Sequence, residues 1–280
     1  MSELLRVDNI SYRYNSKYLA LNDVSLSFRA GERVAVLGEN GAGKSTFFLC
    51  CNGVLRPQAG KIFYRGREIS DSKKDILTLR QNVGLVFQDP DSQMIAGSVE
   101  SEVSFGPMNL GLPKDEVSRR VEKALAQMNI SRYRDHAPHY LSGGEKKRVS
   151  IADILAMKPE IILLDEPTAS LDPKNEDALE HILGALSSEG MTVMISTHDV
   201  NFAYRVSQRV IVFAQGKVIA DADADEVFAQ SETLEHAGLK KPILYEMSEF
   251  IKNVIPDIPN KRKPRTIEEF RAFISPTIHK

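Results

Sequence analysis

Apolar and polar residues alternate in the N-terminal part of the chain and then give way to unbroken apolar runs. Val24, Leu26 and Phe28 alternate with Ser25, Ser27 and Arg29, the period-two pattern of a strand with one buried face. Leu5-Arg6-Val7 and Ile10-Ser11-Tyr12 also carry strand-forming residues, so residues 4–36 read as β-rich. Ala30-Gly31-Glu32 turns the chain into the apolar run Val34-Ala35-Val36-Leu37. Gly60–Tyr64 and Val83–Phe87 read as further strands, with a charged loop and short helix, Ser70 to Arg80, between them. Ile161-Ile162-Leu163-Leu164 is continuous enough for a central parallel strand covered on both faces. Met191–Thr197 is of the same buried type, and Arg209–Phe213 and Gly216–Ala220 make a hairpin-like finish.

The period changes in the middle of the chain. Val117, Val121 and Leu125 recur at i, i+4 and i+8, with Ala124 and Met128 beside them, which predicts an amphipathic helix from Pro113 to about residue 129. A second helix is expected from Lys146 to Met157 and a third over residues 174–188. Residues 90–155 are therefore expected to form a helical subdomain inserted into an α/β core. Beyond residue 230, Leu234 to Glu249 looks helical in pieces, and Pro256, Pro259 and Pro264 interrupt the chain. Lys261-Arg262-Lys263-Pro264-Arg265 reads as a solvated basic linker, with contact to anionic lipid as the alternative. Thr266-x-x-Glu269 offers a capping box for a short terminal helix.

Candidate chemistry sits at the ends of the apolar runs. Gly38-Glu39-Asn40-Gly41-Ala42-Gly43-Lys44-Ser45 fits G-x-x-x-x-G-K-[ST], and Thr46 continues it into a helix-compatible segment that runs to Asn52. Glycines without Cβ let the backbone curl around phosphate, and the exposed N–H groups face the anion. Lys44 is expected to reach β- and γ-phosphates, and Ser45 to offer its hydroxyl to Mg²⁺. Asp165 and Glu166 break the run before them sharply. Ligands of a doubly wound sheet sit at the carboxyl ends of strands. There Asp165 can hold Mg²⁺ through water, and Glu166 can orient or deprotonate an attacking water. Gln88 and His198 also follow strands, where Gln88 can sense Mg²⁺ or water and His198 can touch γ-phosphate. Ser142 and Glu145 make a capping box, and Gly143 and Gly144 leave N–H groups free for an anion. Tyr12, Tyr14 and Tyr18 lie close together, and one of them can stack on a base or all can be strand aromatics.

Composition adds limits. The 280 residues suffice for one large domain plus an appendage, and 42% hydrophobic with 26% charged residues is ordinary globular usage. A net charge of −2 gives no broad basic surface for nucleic acid. No run of about 18 apolar residues is present, and no secretory signal is read at the N-terminus. Cys50 and Cys51, adjacent in a predicted helix, are expected to pack as small apolar residues, and a cytoplasmic location follows.

Taken in order, these motifs resemble those of the ATP-binding subunits of ABC transporters over about residues 4–230. Gly38–Ser45 matches Walker A, Ile161–Asp165 Walker B, Glu166 the catalytic glutamate, Gln88 the Q-loop, Leu141–Glu145 the LSGGQ signature, Ser170-Leu171-Asp172 the D-loop and His198 the switch histidine. The resemblance makes Tyr14 the aromatic that stacks on adenine. It implies an α/β fold: a phosphate-loop NTPase core with an antiparallel β subdomain, an inserted helical subdomain and a small C-terminal extension at 231–280. Glu145 stands where the family usually has Gln, and its side chain is expected to point away from phosphate, leaving activity intact. Phe87–Gln93, Val103–Pro107 and the tail look similar to energy-coupling-factor ATPases, nearest to the cobalt-transport type.

The resemblance further implies two ATP molecules held between Gly38–Thr46 of one subunit and Ser142–Glu145, with Asp172, of a second. That second subunit is an identical chain or a paralogue. The remaining expected partners are a transmembrane scaffold and a substrate-binding membrane subunit, at the cytoplasmic face of the cell membrane, with residues 88–95 grooved for coupling helices and Asp89 and Asp91 facing basic residues there. No nucleic-acid partner is expected. The cargo is expected to be a metal ion such as cobalt or nickel, or a vitamin. Residues 231–280 are expected to add a dimer contact or a regulatory role. The competing readings are a soluble ABC ATPase not coupled to transport and a phosphate-loop kinase.

Overall fold

A computed structural model describes residues 3–15, 18–169, 171–255 and 263–278. Two sheets organise it. The first is antiparallel, in the order β2 (Leu19–Arg29), β1 (Glu3–Arg13), β4 (Ala59–Tyr64), β5 (Arg67–Glu68). The second has six strands in the order β10 (Lys217–Asp223), β9 (Arg209–Ala214), β3 (Arg33–Leu37), β8 (Thr192–Thr197), β7 (Ile161–Asp165), β6 (Val83–Val86). All neighbours in it are parallel except β10 with β9. The buried strands are the apolar runs, since a strand covered on both faces has no place for alternation.

Helix α1 (Lys44–Cys51) lies between the sheets. Its Phe47 ring meets Phe28, Phe48 and Phe213 at centroid distances of 6.2, 6.1 and 5.4 Å. Cys50 and Cys51 are fully buried in the same cluster, and burial pushes the Cys50 thiol up to about 12, so both behave as small apolar residues. Helix α2 (Lys73–Asn82) begins at Ser72, whose side chain caps it.

Helices α3 (Val99–Asn109), α4 (Lys114–Gln127) and α5 (Gly143–Ala156) pack on one another over β6. Val117, Val121 and Leu125 form the buried stripe of α4. Gly106 and Pro107 lie inside α3, which hides that helix from a reading based on breakers. Gly106 has a packing reason: a Cβ there would sit 2.6 Å from Met157 Cγ. Helix α6 (Pro173–Ser188) is capped by Asp172, and α7 (Val200–Val206) by Asp199.

Helices α8 (Ala224–Ala229), α9 (Ser231–His236) and α10 (Ile243–Val254) complete a third cluster with Ala35 and Leu37 of β3. Tyr204 meets Phe228 and Tyr245 edge-on at 5.5 and 5.8 Å. The basic stretch near residue 263 differs from a solvated linker. Lys263 pairs with Glu249 at 3.0 Å and its ammonium lies 3.3 Å from the Tyr245 ring centroid. Arg265 is buried, donates to the Ser207 carbonyl and lies over Tyr204 at 5.0 Å. Tyrosine faces and a carboxylate take these cations out of water. Lys261, Arg262, Pro256 and Pro259 fall outside the described residues. Before α11 (Ile267–Ile278) the Thr266 hydroxyl accepts from Glu269 N at 3.1 Å, while the Glu269 carboxylate turns to Arg265 N at 2.7 Å.

Candidate functional site

Strand order β3-β8-β7-β6 brings four loops to one edge of the sheet. In sequence along that edge stand the glycine loop after β3, His198 after β8, Asp165 and Glu166 at the end of β7, and Gln88 after β6. They are the carboxyl ends of parallel strands, where ligands of such sheets bind.

The glycine loop is shaped by close approaches. Gly38 (φ 150°) would place a Cβ 2.4 Å from the Phe213 carbonyl oxygen, and Gly43 (φ 110°) 2.5 Å from that of Ala20. Only glycine fits either position. Lys44 is 5% exposed, and its ammonium donates to the carbonyls of Gly38 at 2.7 Å and Glu39 at 3.2 Å. The same ammonium lies 3.5 Å from Glu166 Oε1. Gly41 and Ser45 are exposed at the loop, as are Glu39 and Asn40, while Ala42 and Thr46 are buried. A curled loop with a lysine folded across it, opening a helix, has the chemistry of an anion cradle.

Glu166 is buried and sits at φ 42°, an uncommon conformation for a residue with a side chain. Its N–H donates to Ser196 O at 2.9 Å, and His198 Nδ1 lies 3.1 Å from both carboxylate oxygens. Lys44 and His198 thus flank one carboxylate. The Ser196 hydroxyl donates to Asp165 Oδ1, fixing that carboxylate from the neighbouring strand. Ser196 was not singled out by motif; its signal is a polar residue in a buried run facing an acid one strand away. Among the described residues no group of three His, Cys, Asp or Glu side chains forms a metal cage. A divalent ion here would need phosphate and water oxygens besides any protein oxygen, the arrangement favoured by ions that keep their water.

The three tyrosines separate. Tyr12 packs against the core. Tyr14 is half-exposed with its hydroxyl 3.2 Å from Thr46 Oγ1, and Tyr18 donates to Gly41 O at 2.8 Å. The Tyr14 and Tyr18 rings lie 6.4 Å apart at 27°.

Ser142 and Glu145 form the full capping box at the start of α5. Glu145 Oε2 accepts from Ser142 N and Oγ, each at 2.9 Å, and Oε1 accepts from the Tyr133 hydroxyl. That hydroxyl holds the Glu145 carboxyl below the usual carboxylate range, against the upward pull of burial. The carboxylate is therefore occupied within its own chain, by Ser142 on one oxygen and Tyr133 on the other. Gly144 faces Asn175, where a Cβ would fall 2.5 Å from Asn175 Cγ, and Asn175 Nδ2 donates to Asp172 at 3.0 Å. Gly144, Asn175 and Asp172 are thus in one contact group, with Ser170 outside the described residues.

Asp89 and Asp91 are engaged within the chain. Asp89 caps the turn that starts at Pro90, and Asp91 pairs with Lys146 at 2.7 Å. Helix α5 overlies β6, three strands from β3, a separation of roughly 14 Å at ordinary strand spacing. The body of the helix that Ser142–Glu145 open is therefore displaced along the sheet from that chain's own glycine loop.

Residues 21–169 match the protein family described as ABC transporter. The chain is 48% identical over 239 residues to the energy-coupling factor transporter ATP-binding protein EcfA of Methanothermobacter thermautotrophicus, covering 85% of this chain and 77% of the relative. It is 43% identical over 272 residues to the cobalt import ATP-binding protein CbiO of Rhodobacter capsulatus, covering 97% of each. Among solved structures, CbiO1 of Clostridium perfringens, described as part of the ABC transporter complex cbiONQ, superposes with a TM-score of 0.76 at 39% identity, covering 89% of this chain and all of that one.

Proposed function

Since the chain belongs to the ABC transporter family, we propose that it is the ATP-binding and ATP-hydrolysing subunit that energises a membrane transporter, of the energy-coupling-factor type, taking up a metal ion such as cobalt or a vitamin. The observation that carries the reading is the shared edge where Lys44, Glu166 and His198 converge beside the glycine loop. Similarity to EcfA and CbiO supports the transport type and the cargo class.

Gly38–Thr46 bind the phosphates through main-chain N–H groups and Lys44, and Tyr14 takes the adenine face. Ser45, Gln88 and Asp165 would hold Mg²⁺, which would supply positive charge against the phosphates. Glu166 orients the attacking water and accepts its proton, a role favoured by its buried carboxylate between two cationic or polar neighbours. Lys44 and His198 stabilise charge that grows on the transferred phosphoryl oxygens.

The displacement of α5 from the glycine loop supports a head-to-tail pair, in which Ser142–Glu145 and Asp172 of a second subunit close each site. ATP then favours the closed pair by binding both surfaces at once. The second subunit is an identical chain or a paralogue. A transmembrane scaffold and a small substrate-binding membrane protein complete the assembly. Among the described residues no helix is long and apolar enough to cross a membrane, and we assign the chain to the cytoplasmic face as a peripheral subunit.

Affinity purification of the chain from its native membranes in mild detergent, with mass spectrometry of what co-purifies, tests this. Recovery of a transmembrane scaffold with a small membrane protein is expected, and the ligand of the latter identifies the cargo. Recovery of soluble partners alone contradicts the transport reading.

A further inference from the structure

One face of α5 grips the segment that follows β6. Lys147 Nζ donates to the carbonyl oxygens of Phe87 at 2.9 Å and Gln88 at 2.6 Å. Gln93 Nε2 donates to Ser150 O and Asp153 Oδ2, both at 3.1 Å, while Gln93 Oε1 accepts from Phe87 N at 3.4 Å. Lys146 adds its pair with Asp91. Residues 146, 147, 150 and 153 fall on one side of the helix by its own periodicity.

Lys147 is the unusual member. It is 2% exposed, and a lysine is rarely taken out of water to that degree. Its two acceptors are main-chain oxygens, so what it fixes is the path of the backbone at Gln88. The helix that carries it starts at Gly143, one turn earlier, with Ser142 as its cap. A helix is stiff over one turn, so the Gln88 main chain and the Ser142–Gly144 end move as one body.

We propose that Lys147 is a positioning residue for hydrolysis. It ties Gln88, at this chain's own nucleotide, to the helix end that closes the nucleotide site of the second subunit, so that each site is assembled only when its neighbour is. This rests on the head-to-tail reading above. Nucleotide binding depends little on the tie, because Gly38–Thr46, with Lys44, lie in the loop after β3 and in the first turn of α1, outside the gripped segment.

The test compares the full-length chain with Lys147→Met and Gln93→Leu, measuring thermal unfolding, binding of ATP with Mg²⁺, and phosphate release at saturating ATP. Each folded variant is expected to bind one nucleotide per chain with Kd within about threefold of the parent, while release per bound nucleotide falls about tenfold or more. If Lys147→Met does not fold, the partly exposed Gln93→Leu carries the same test. Parent-like release per bound nucleotide in a folded variant overturns the proposal. So does release that falls only in step with lost binding. A parent chain that binds ATP yet releases no phosphate overturns the ATPase reading, and this proposal with it.

Discussion

Glu145 shows how far a single residue can be read from its neighbours in sequence. Ser142 and Glu145 three positions apart announce a capping box, and the box is there. The Tyr133 hydroxyl that takes the other carboxylate oxygen is twelve residues away on a different turn, and no local pattern points to it. Glu145→Gln keeps a side chain able to accept from Ser142 but loses the charge that Tyr133 and Ser142 share. Thermal unfolding of this variant is expected to show a loss on the order of 1 kcal/mol, as for partly covered charge-assisted contacts, with phosphate release within about threefold of the parent. The glycine loop and the Asp165–Glu166 pair were legible because their chemistry interrupts a strongly patterned background. The tyrosines were not separable, since Tyr12 lies in the last pleat of β1 and Tyr14 just past its end, and only the packing of the two sheets decides which ring is covered.

At the scale of elements, the long periodic segments were legible and the breaker-bearing ones were not. The α4 stripe is read from Val117, Val121 and Leu125, whereas Gly106 and Pro107 conceal α3. The contact of α5 with the segment after β6 was invisible for a related reason, because Lys147 looks like one more surface charge in Glu145-Lys146-Lys147-Arg148. The same contact partly covers Asp153, and its desolvation, opposed by the Gln93 amide and aided by the nearby Glu102 charge, pushes its carboxyl up from 3.8 to about 6. Folded protein therefore holds this proton where unfolded chain has released it. The stabilisation is fully present below about pH 4 and is lost as pH rises through about 6. Asp153→Asn keeps an acceptor for Gln93 and removes the charge. Urea unfolding across pH 4–7 is expected to show a flatter profile for the variant, with a gain on the order of 1–2 kcal/mol at pH 7. An unchanged slope would contradict the assignment.

At the scale of the molecule, the α/β core with its inserted helices follows from the order of apolar runs and amphipathic segments. The packing of the last fifty residues does not, because Leu234, Leu239 and Tyr245 find their partners on β3 and α7, some two hundred and ten residues apart at the extreme. Removing residues 231–280 therefore strips a core cluster. Tyr245→Ala alone is expected to cost about 3–5 kcal/mol in denaturant unfolding, the usual range for a buried aromatic. The central claim is hydrolysis at the edge where the glycine loop meets Glu166, and its most direct test is phosphate release from ATP and Mg²⁺ by the full-length chain beside Glu166→Gln. The account predicts release without any second substrate, and a loss of about a hundredfold or more in the variant with ATP binding retained. Equal release by both proteins, or release that begins only when an acceptor substrate is added, would contradict it.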